Sequence, residues 1–426
     1  MAVLQIPSGN HANLRVDELV QSLRRFRVVV EESASFDRIK RLADEKLPQI
    51  EGRQRVMASL HPHTSIWHEM AYFFSTGERP SWDVYHAHFL YYAHYWVSLW
   101  DSASAPEREK LLGWLKGGLQ TGRDFASQYF ELMVGFLYAS IGSAVEAVDL
   151  AERGGKGYDY DVRKLWIDYC VEVKTVEYTS GYPFDGEWMG RAAIIVMEAI
   201  KGRFPGWKGC KVEVDFIGRR APTHKALMDE ARLLSNALKH DCPQARGQLL
   251  DITVNASDYD GSVEAGQAIA GGDRRADRFV SYLFGPEGEQ PIYVEIGTNL
   301  EWRLPEAVGR VMKAAVGEQL PQDKRAVLWI QLVGASAAMG NTREAVMNLL
   351  NSGQIIPEIK KRQQGLKPGA GLVGVHLCGD PYAAASEDGT VLHLHFTGGF
   401  VSAQPMGKEL ELYRNLMLLS FPRVDW

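Results

Sequence analysis

The chain is poor in cysteine, with four in 426 residues, at Cys170, Cys210, Cys242 and Cys378. No pair has C-x-x-C spacing, so no disulfide framework is expected and a reducing, cytoplasmic setting fits. Long apolar runs are also missing. The longest uncharged run, residues 389–407, is broken by Gly398, Gly399 and Pro405, and the aromatic run at 84–100 carries His86, His88 and His94. Neither suits a membrane-spanning helix, and no basic segment followed by an apolar stretch marks a signal peptide at the start. Basic charge is not in excess: 47 Lys plus Arg stand against 53 Asp plus Glu, a net charge of −6. Such a chain has no global attraction for phosphate. That excludes histone-like binding and requires any nucleic-acid contact to come from a local surface.

What is present is the balance of a folded protein, 46% hydrophobic and 23% charged, which excludes disorder and fibrous repeats. At about 150 residues per domain the length predicts two or three domains. Residues 1–120 read as a helical domain of balanced charge, with breaks at Pro48, Pro62, Pro80 and Pro106. From residue 121 the rhythm changes. A helix over 125–141 precedes strands at 144–150, 158–162 and 169–178, then a helix carrying Met189, Ala193, Val196 and Ile200, then a strand at 211–217. The order is α-β-β-β-α-β. A further helix at 223–240 and a strand at 248–254 close this core at 121–254, and the Gly-, Asp- and Ser-rich stretch 255–275 reads as a linker. Residues 276–426 alternate strands and helices, a second α/β domain.

The chemistry concentrates in the hairpin 157–175. Period-two alternation places Asp159 and Asp161 on one face of the first strand, against Tyr158, Tyr160 and Val162 on the other. In the second strand Glu172 and Lys174 share a face opposite Val171 and Val173. A turn around 163–168 brings Asp159 or Asp161 across from Glu172, within reach of one hard cation, with Lys174 beside that ion's water. Glu131 adds weight, because its helix is apolar almost all round and an ionised carboxylate there needs a partner. A metal or Lys174 would serve. A second E-x-K, at Glu358 and Lys360, lies in a polar helical stretch without an acidic hairpin partner and reads as accidental.

Together these residues resemble the PD-(D/E)xK, or restriction-endonuclease-like, nucleases. The resemblance rests on Glu131 in the first helix, Gly157-Tyr158-Asp159, and Val171-Glu172-Val173-Lys174-Thr175 in that element order. It covers about a quarter of the chain. It implies a restriction-endonuclease-like core and an Mg²⁺- or Mn²⁺-dependent phosphodiesterase acting on nucleic acid, DNA rather than RNA. Asp159 and Glu172 would be metal ligands, Glu131 an accessory ligand and Lys174 the catalytic cation. Asp161 competes with Asp159, which is preferred because Gly-x-Asp matches the family. Tyr158 stands where that family often has Pro, and the helix after the E-x-K strand lacks a Gln often found there.

Other signals are weaker. Basic pairs at Arg219 and Arg220, Arg274 and Arg275, and Lys360 and Lys361 are candidate phosphate contacts, although charge runs are usually solvated faces. His61, His63 and His68, like His86, His88 and His94, lack zinc spacing. The turn from Gly334 to Thr342 has no Lys and is one residue too long for a P-loop. Residues 277–284, helix-like and followed by a strand with Glu295 and Gly297, loosely echo the core and suggest a decayed second copy that binds or forms a homodimer. Two other readings stay open: an inactive nuclease-fold binding or assembly module, and a nucleotide-dependent protein acting through the Gly334 turn.

Overall fold

The computed structural model describes residues 4–57, 62–78, 84–148, 157–164, 167–181, 184, 186–217, 221–257, 278–284, 292–298, 303–333, 353–366, 371–395 and 397–402. Among these, ten helices and three sheets form a mixed α/β structure. Its centre is a seven-stranded sheet in the spatial order β1 (Leu4–Ile6), β3 (Ala144–Ala147), β4 (Tyr160–Lys164), β5 (Ile167–Glu177), β11 (Ala326–Val333), β12 (Leu372–Cys378) and β15 (Gly398–Ser402). β5, β11 and β12 run parallel, and the other neighbours are antiparallel. β11 reads AVLWIQLV and is buried at every position, as a parallel strand covered on both faces should be.

One face of this sheet packs on helices α1 (Val16–Glu31), α2 (Phe36–Met57), α3 (Pro62–Thr76), α4 (Val84–Ser102), α5 (Ala105–Gln120) and α6 (Gly122–Ser140). The aromatic run at 84–100 supplies much of that core through Phe89, Tyr92, Tyr95 and Trp96. The other face meets α7 (Gly186–Ile200) and a five-stranded sheet ordered β7 (Gln244–Arg246), β8 (Leu250–Ser257), β6 (Gly209–Phe216), β10 (Ile292–Thr298) and β9 (Arg278–Phe284). Helices α8 (His224–Ala237), α9 (Leu304–Ala314) and α10 (Ile355–Gln364) complete that second core. A small sheet joins β2 (Asn13–Arg15) to β14 (Val391–His395) and β13 (Tyr382–Ala385). No helix among the described residues is long and apolar enough to cross a membrane.

Several expectations are corrected. The strand expected at 211–217 exists as β6 but belongs to the five-stranded sheet, where it pairs in parallel with β10. The parallel neighbour of β5 is β11, so β6 to β10 form an insertion between two adjacent strands of the central sheet. The central sheet draws its strands from widely separated stretches of the chain. β1 pairs with β3, β8 runs through residue 254, and β11, β12 and β15 extend the sheet that contains β5. Residues 278–284 form strand β9, paired antiparallel with β10, and not a helix. An edge along β10 overrides a short helix-like pattern, because pairing and burial decide short segments. Pro48 lies inside α2, whereas Pro106 opens α5 where its missing N–H has no helical partner to lose. Pro80 and residues 258–277 lie outside the described residues.

Within the core, His376 of β12 stacks on Trp329 at 4.1 Å and lies 4.7 Å from the ring of Phe400. Burial pushes its imidazole down to about 3. The folded value lies below the ordinary one near 6.5, so the stability from this residue is full above about pH 6.5 and is lost as pH falls toward 3. Each pH unit in that window removes about 1.4 kcal/mol. His376→Phe is expected to match the parent in urea unfolding at about pH 7.5 and to exceed it at about pH 4.5. An equal difference at both values contradicts a buried neutral imidazole.

Candidate active site on the central strand

β5 occupies the middle of the seven-stranded sheet, and its two faces turn toward the two cores. Tyr160, Val162, Tyr169, Val171 and Val173 join the core formed by the N-terminal helices, while Cys170 and Val176 join the other core. Alternation puts Glu172 and Lys174 on the second face with Cys170 and Val176. Glu172 is 0% exposed and its carboxylate is ion-paired with the Lys174 ammonium, whose side chain is 29% exposed.

The register sets the two aspartates apart. Tyr160 lies opposite Val171 and Asp161 opposite Cys170, so Asp159 falls beside Glu172. The Asp159 N–H donates to the Val171 carbonyl at 3.0 Å, and its carbonyl accepts from Val148 N–H at 2.8 Å. Its Oδ2 accepts a hydrogen bond from Val173 N–H at 2.6 Å. Asp159 is thus fixed at three points although it precedes the strand, and it is 8% exposed. Asp161 is held elsewhere: Tyr158 Oη donates to both its oxygens at 3.1 Å and Lys324 Nζ lies 3.4 Å away. Tyr158 does not share the apolar face with Tyr160 and Val162 as expected. It packs beside the second core, because alternation begins only where β4 begins.

Glu131 is brought in by α6. Thr121 caps that helix, its Oγ1 accepting Asp124 N–H at 3.0 Å. The helix sits close on the sheet at Gly135, where a Cβ would lie 2.7 Å from Tyr160 Cζ, so only glycine permits the approach. Tyr160 Oη donates to the Glu131 carbonyl at 2.9 Å, and Ser127 Oγ, one turn earlier, lies 2.6 Å from Thr175 Oγ1.

The electrostatics join these groups. Burial raises the Asp159 carboxyl well above its ordinary range, and the charges of Glu131 and Glu172 raise it further against the opposing effects of Lys174 and Val173 N–H. For Lys174, burial acts downward, but Glu172, Asp159 and Glu131 outweigh it and hold the ammonium protonated, with its pKa above the ordinary value. Asp159 and Lys174 therefore both lie within electrostatic range of Glu131 and Glu172. The oxygens are hard donors of the kind Mg²⁺ and Mn²⁺ take, and the accumulated negative charge is what a divalent cation relieves. Among the described residues no group of three or more His, Cys, Asp and Glu side chains is drawn together tightly enough to ligate a metal. Val173 N–H and Lys174 engage Asp159 and Glu172 instead.

Other candidates separate from this centre. Glu358 and Lys360 lie on α10, where Glu358 pairs with Arg362 at 2.8 Å and with Lys361 at 3.6 Å. Lys360 and Lys361 are exposed. Arg219, Arg220, Arg274, Arg275 and the turn from Gly334 to Thr342 lie outside the described residues. Glu295 meets Lys211 at 3.2 Å and Tyr293 at 3.2 Å on the five-stranded sheet. His88 bonds the Tyr129 hydroxyl at 2.8 Å, and His94 links Ser22 to His11 at 3.0 and 3.1 Å. Sequence reasoning missed Gln331 and Lys324. Gln331, opposite Thr175 on β11 and 3.4 Å from Asp380, stands out as the one polar residue in AVLWIQLV. No protein-family model, curated protein or solved structure matches the chain.

Because the Asp159 carboxyl is raised, its ionisation opposes folding: stability is full below the unfolded value near 4 and falls as pH rises through the folded one. Asp159→Asn keeps an acceptor for Val173 N–H and removes the charge. In EDTA at about pH 8 its melting temperature is expected to exceed the parent's by a few degrees. A variant that melts lower means that Asp159 is stabilised by its neighbours rather than strained by them.

Proposed function

We propose that the protein is a metal-dependent nuclease of the restriction-endonuclease-like type that hydrolyses phosphodiester bonds in nucleic acid, DNA rather than RNA, in the cytoplasm. One observation carries the reading: Glu131 from α6 and Glu172 from β5 both act electrostatically on Asp159, just before β4, and on Lys174 of β5. Asp159, Glu172 and Glu131 would hold Mg²⁺ or Mn²⁺, which when bound polarises a phosphoryl oxygen and acidifies a water. Lys174, kept charged by its carboxylate neighbours, positions the attacking water or screens charge developing on the phosphate. Glu172 orients that ammonium, and Val173 N–H fixes the Asp159 carboxylate. The segment 121–217 carries 11 basic and 15 acidic residues, so without a cation it repels the strand it would cut. The preference for DNA rests on the family resemblance.

A second reading keeps the same fold as a binding or assembly module without cleavage. It is favoured by the engagement of Asp159 and Glu172 by Val173 N–H and Lys174. Incubation with plasmid, single-stranded DNA and RNA in Mg²⁺, Mn²⁺ or EDTA separates the two. Cleavage that EDTA abolishes supports the nuclease, and binding without cleavage supports the module.

In the nuclease, Lys174→Ala is expected to lower single-turnover cleavage at least about a hundredfold while nucleic-acid affinity changes less than about threefold, because the ammonium acts on the transition state. Lys360→Ala should cleave at the parent rate. Unchanged cleavage by Lys174→Ala, or loss confined to Lys360→Ala, moves the active site to the C-terminal half.

A further inference from the structure

Lys324 belongs to the segment just before β11 and is distant in sequence from the hairpin, yet its side chain ends on the residues that flank Asp159. Its Nζ donates to Tyr158 Oη at 2.9 Å and lies 3.4 Å from Asp161 Oδ1. The ammonium also stands 5.4 Å from the centre of the Tyr158 ring. Tyr158 Oη in turn donates to both Asp161 oxygens at 3.1 Å. The hydrogen bond to Tyr158 raises the Lys324 pKa, so the cation persists throughout the neutral range. Asp159 lies between the two residues this cluster holds. The cluster forms part of the wall of a cleft of about 460 Å³ lined by Asp161, Arg163, Asp168, Tyr169, Asp323 and Arg325.

The rest of the hairpin shows why such a tie is needed. β4 starts only at Tyr160, so Asp159 has no strand before it. Its backbone is anchored to Val171 and Val148, but the carboxylate must also be held against the repulsion of Glu131 and Glu172. Side chains that meet a reacting group or metal need support from the residues behind them if their geometry is to hold to a fraction of an ångström. Lys324 supplies it from the residues that lead into β11, the parallel neighbour of the strand that carries Glu172.

We infer that Lys324 is a positioning residue for the proposed nuclease site, clamping Tyr158 and Asp161 so that the Asp159 carboxylate between them is set to receive a divalent cation. The inference rests on the nuclease reading. It assigns Asp161, the rival ligand in the sequence, to the clamp instead of the metal. Lys324 touches neither Asp159 nor the scissile group, so its loss should weaken cation binding while leaving the rate at saturating cation nearly intact. Arginine, longer but still cationic and able to bond both oxygens, should restore most of the effect.

The test uses the full chain as parent, Lys324→Met, Lys324→Arg and Tyr158→Phe, with Mg²⁺ and Mn²⁺ titrated against single-turnover cleavage and against melting temperature. Lys324→Met is expected to raise the half-saturating Mg²⁺ concentration about tenfold with the saturated rate within about twofold of the parent. The rise in melting temperature at subsaturating Mg²⁺ should shrink accordingly. Lys324→Arg should return both within about threefold. Tyr158→Phe, which keeps the ring and removes the hydroxyl, should shift half-saturation in the same direction. Unchanged half-saturation in Lys324→Met, or a fall in saturated rate without a shift, overturns the clamp while leaving the nuclease standing. A parent that neither cleaves nor is stabilised by Mg²⁺ or Mn²⁺ overturns the nuclease reading, and the clamp with it. If the parent is stabilised but does not cleave, the melting series alone decides the clamp.

Discussion

Parallel pairing of β5 with β11 places a strand that carries a carboxylate and an ammonium in the middle of a sheet, between two apolar layers. Glu172 lies opposite Leu328 and Lys174 opposite Ile330. A buried carboxylate in such a setting is strongly unfavourable unless a cation is close, and Lys174, two residues along the same face, provides one. Asp159 follows from the same constraint. With β4 in register against β5, the position before Tyr160 can only fall beside Glu172, where a backbone N–H receives its carboxylate.

The two cores divide the work of holding this arrangement. The N-terminal helices bring Glu131 to the sheet through a helix that approaches closely at Gly135. The insertion of β6 to β10 with its helices covers the opposite face, on which Glu172 and Lys174 lie. Without that second layer the pair would lie in water, where a surface ion pair contributes at most about 1 kcal/mol. Packing thus sets the electrostatics. The like charges of Glu131, Asp159 and Glu172 are brought together by apolar burial around them, against their own repulsion.

The hairpin was legible because its alternation is local: Val171 and Val173 against Glu172 and Lys174 needs no knowledge of distant strands. Glu131 was legible as a charge in an apolar helix. The strand beside β5 was not, because parallel neighbours are joined by connections of any length and the apolar run 326–333 reads equally well as a strand of a separate domain. The same gap hid the pairing of β6 with β10 and the strand character of 278–284, where short-range pattern gave way to an available edge. Pro48 misled for a different reason, since a proline inside a long helix can kink it without ending it. Lys324 was invisible because nothing in a surface lysine announces a tyrosine so distant in the chain.

The late arrival of β11 also bears on how the chain matures. Contacts between residues as remote in sequence as Glu172 and Leu328 require a large loop to close before they return any stabilisation, and topologies of this kind fold slowly. During synthesis, at about 5–20 residues per second, the hairpin emerges many seconds before the strand that covers it. In that interval Glu172 and Lys174 lack the strand beside them, and Tyr158 and Asp161 lack Lys324. The centre described above is therefore complete only after residue 333 has been made and the loop has closed, so its assembly belongs to the late part of folding.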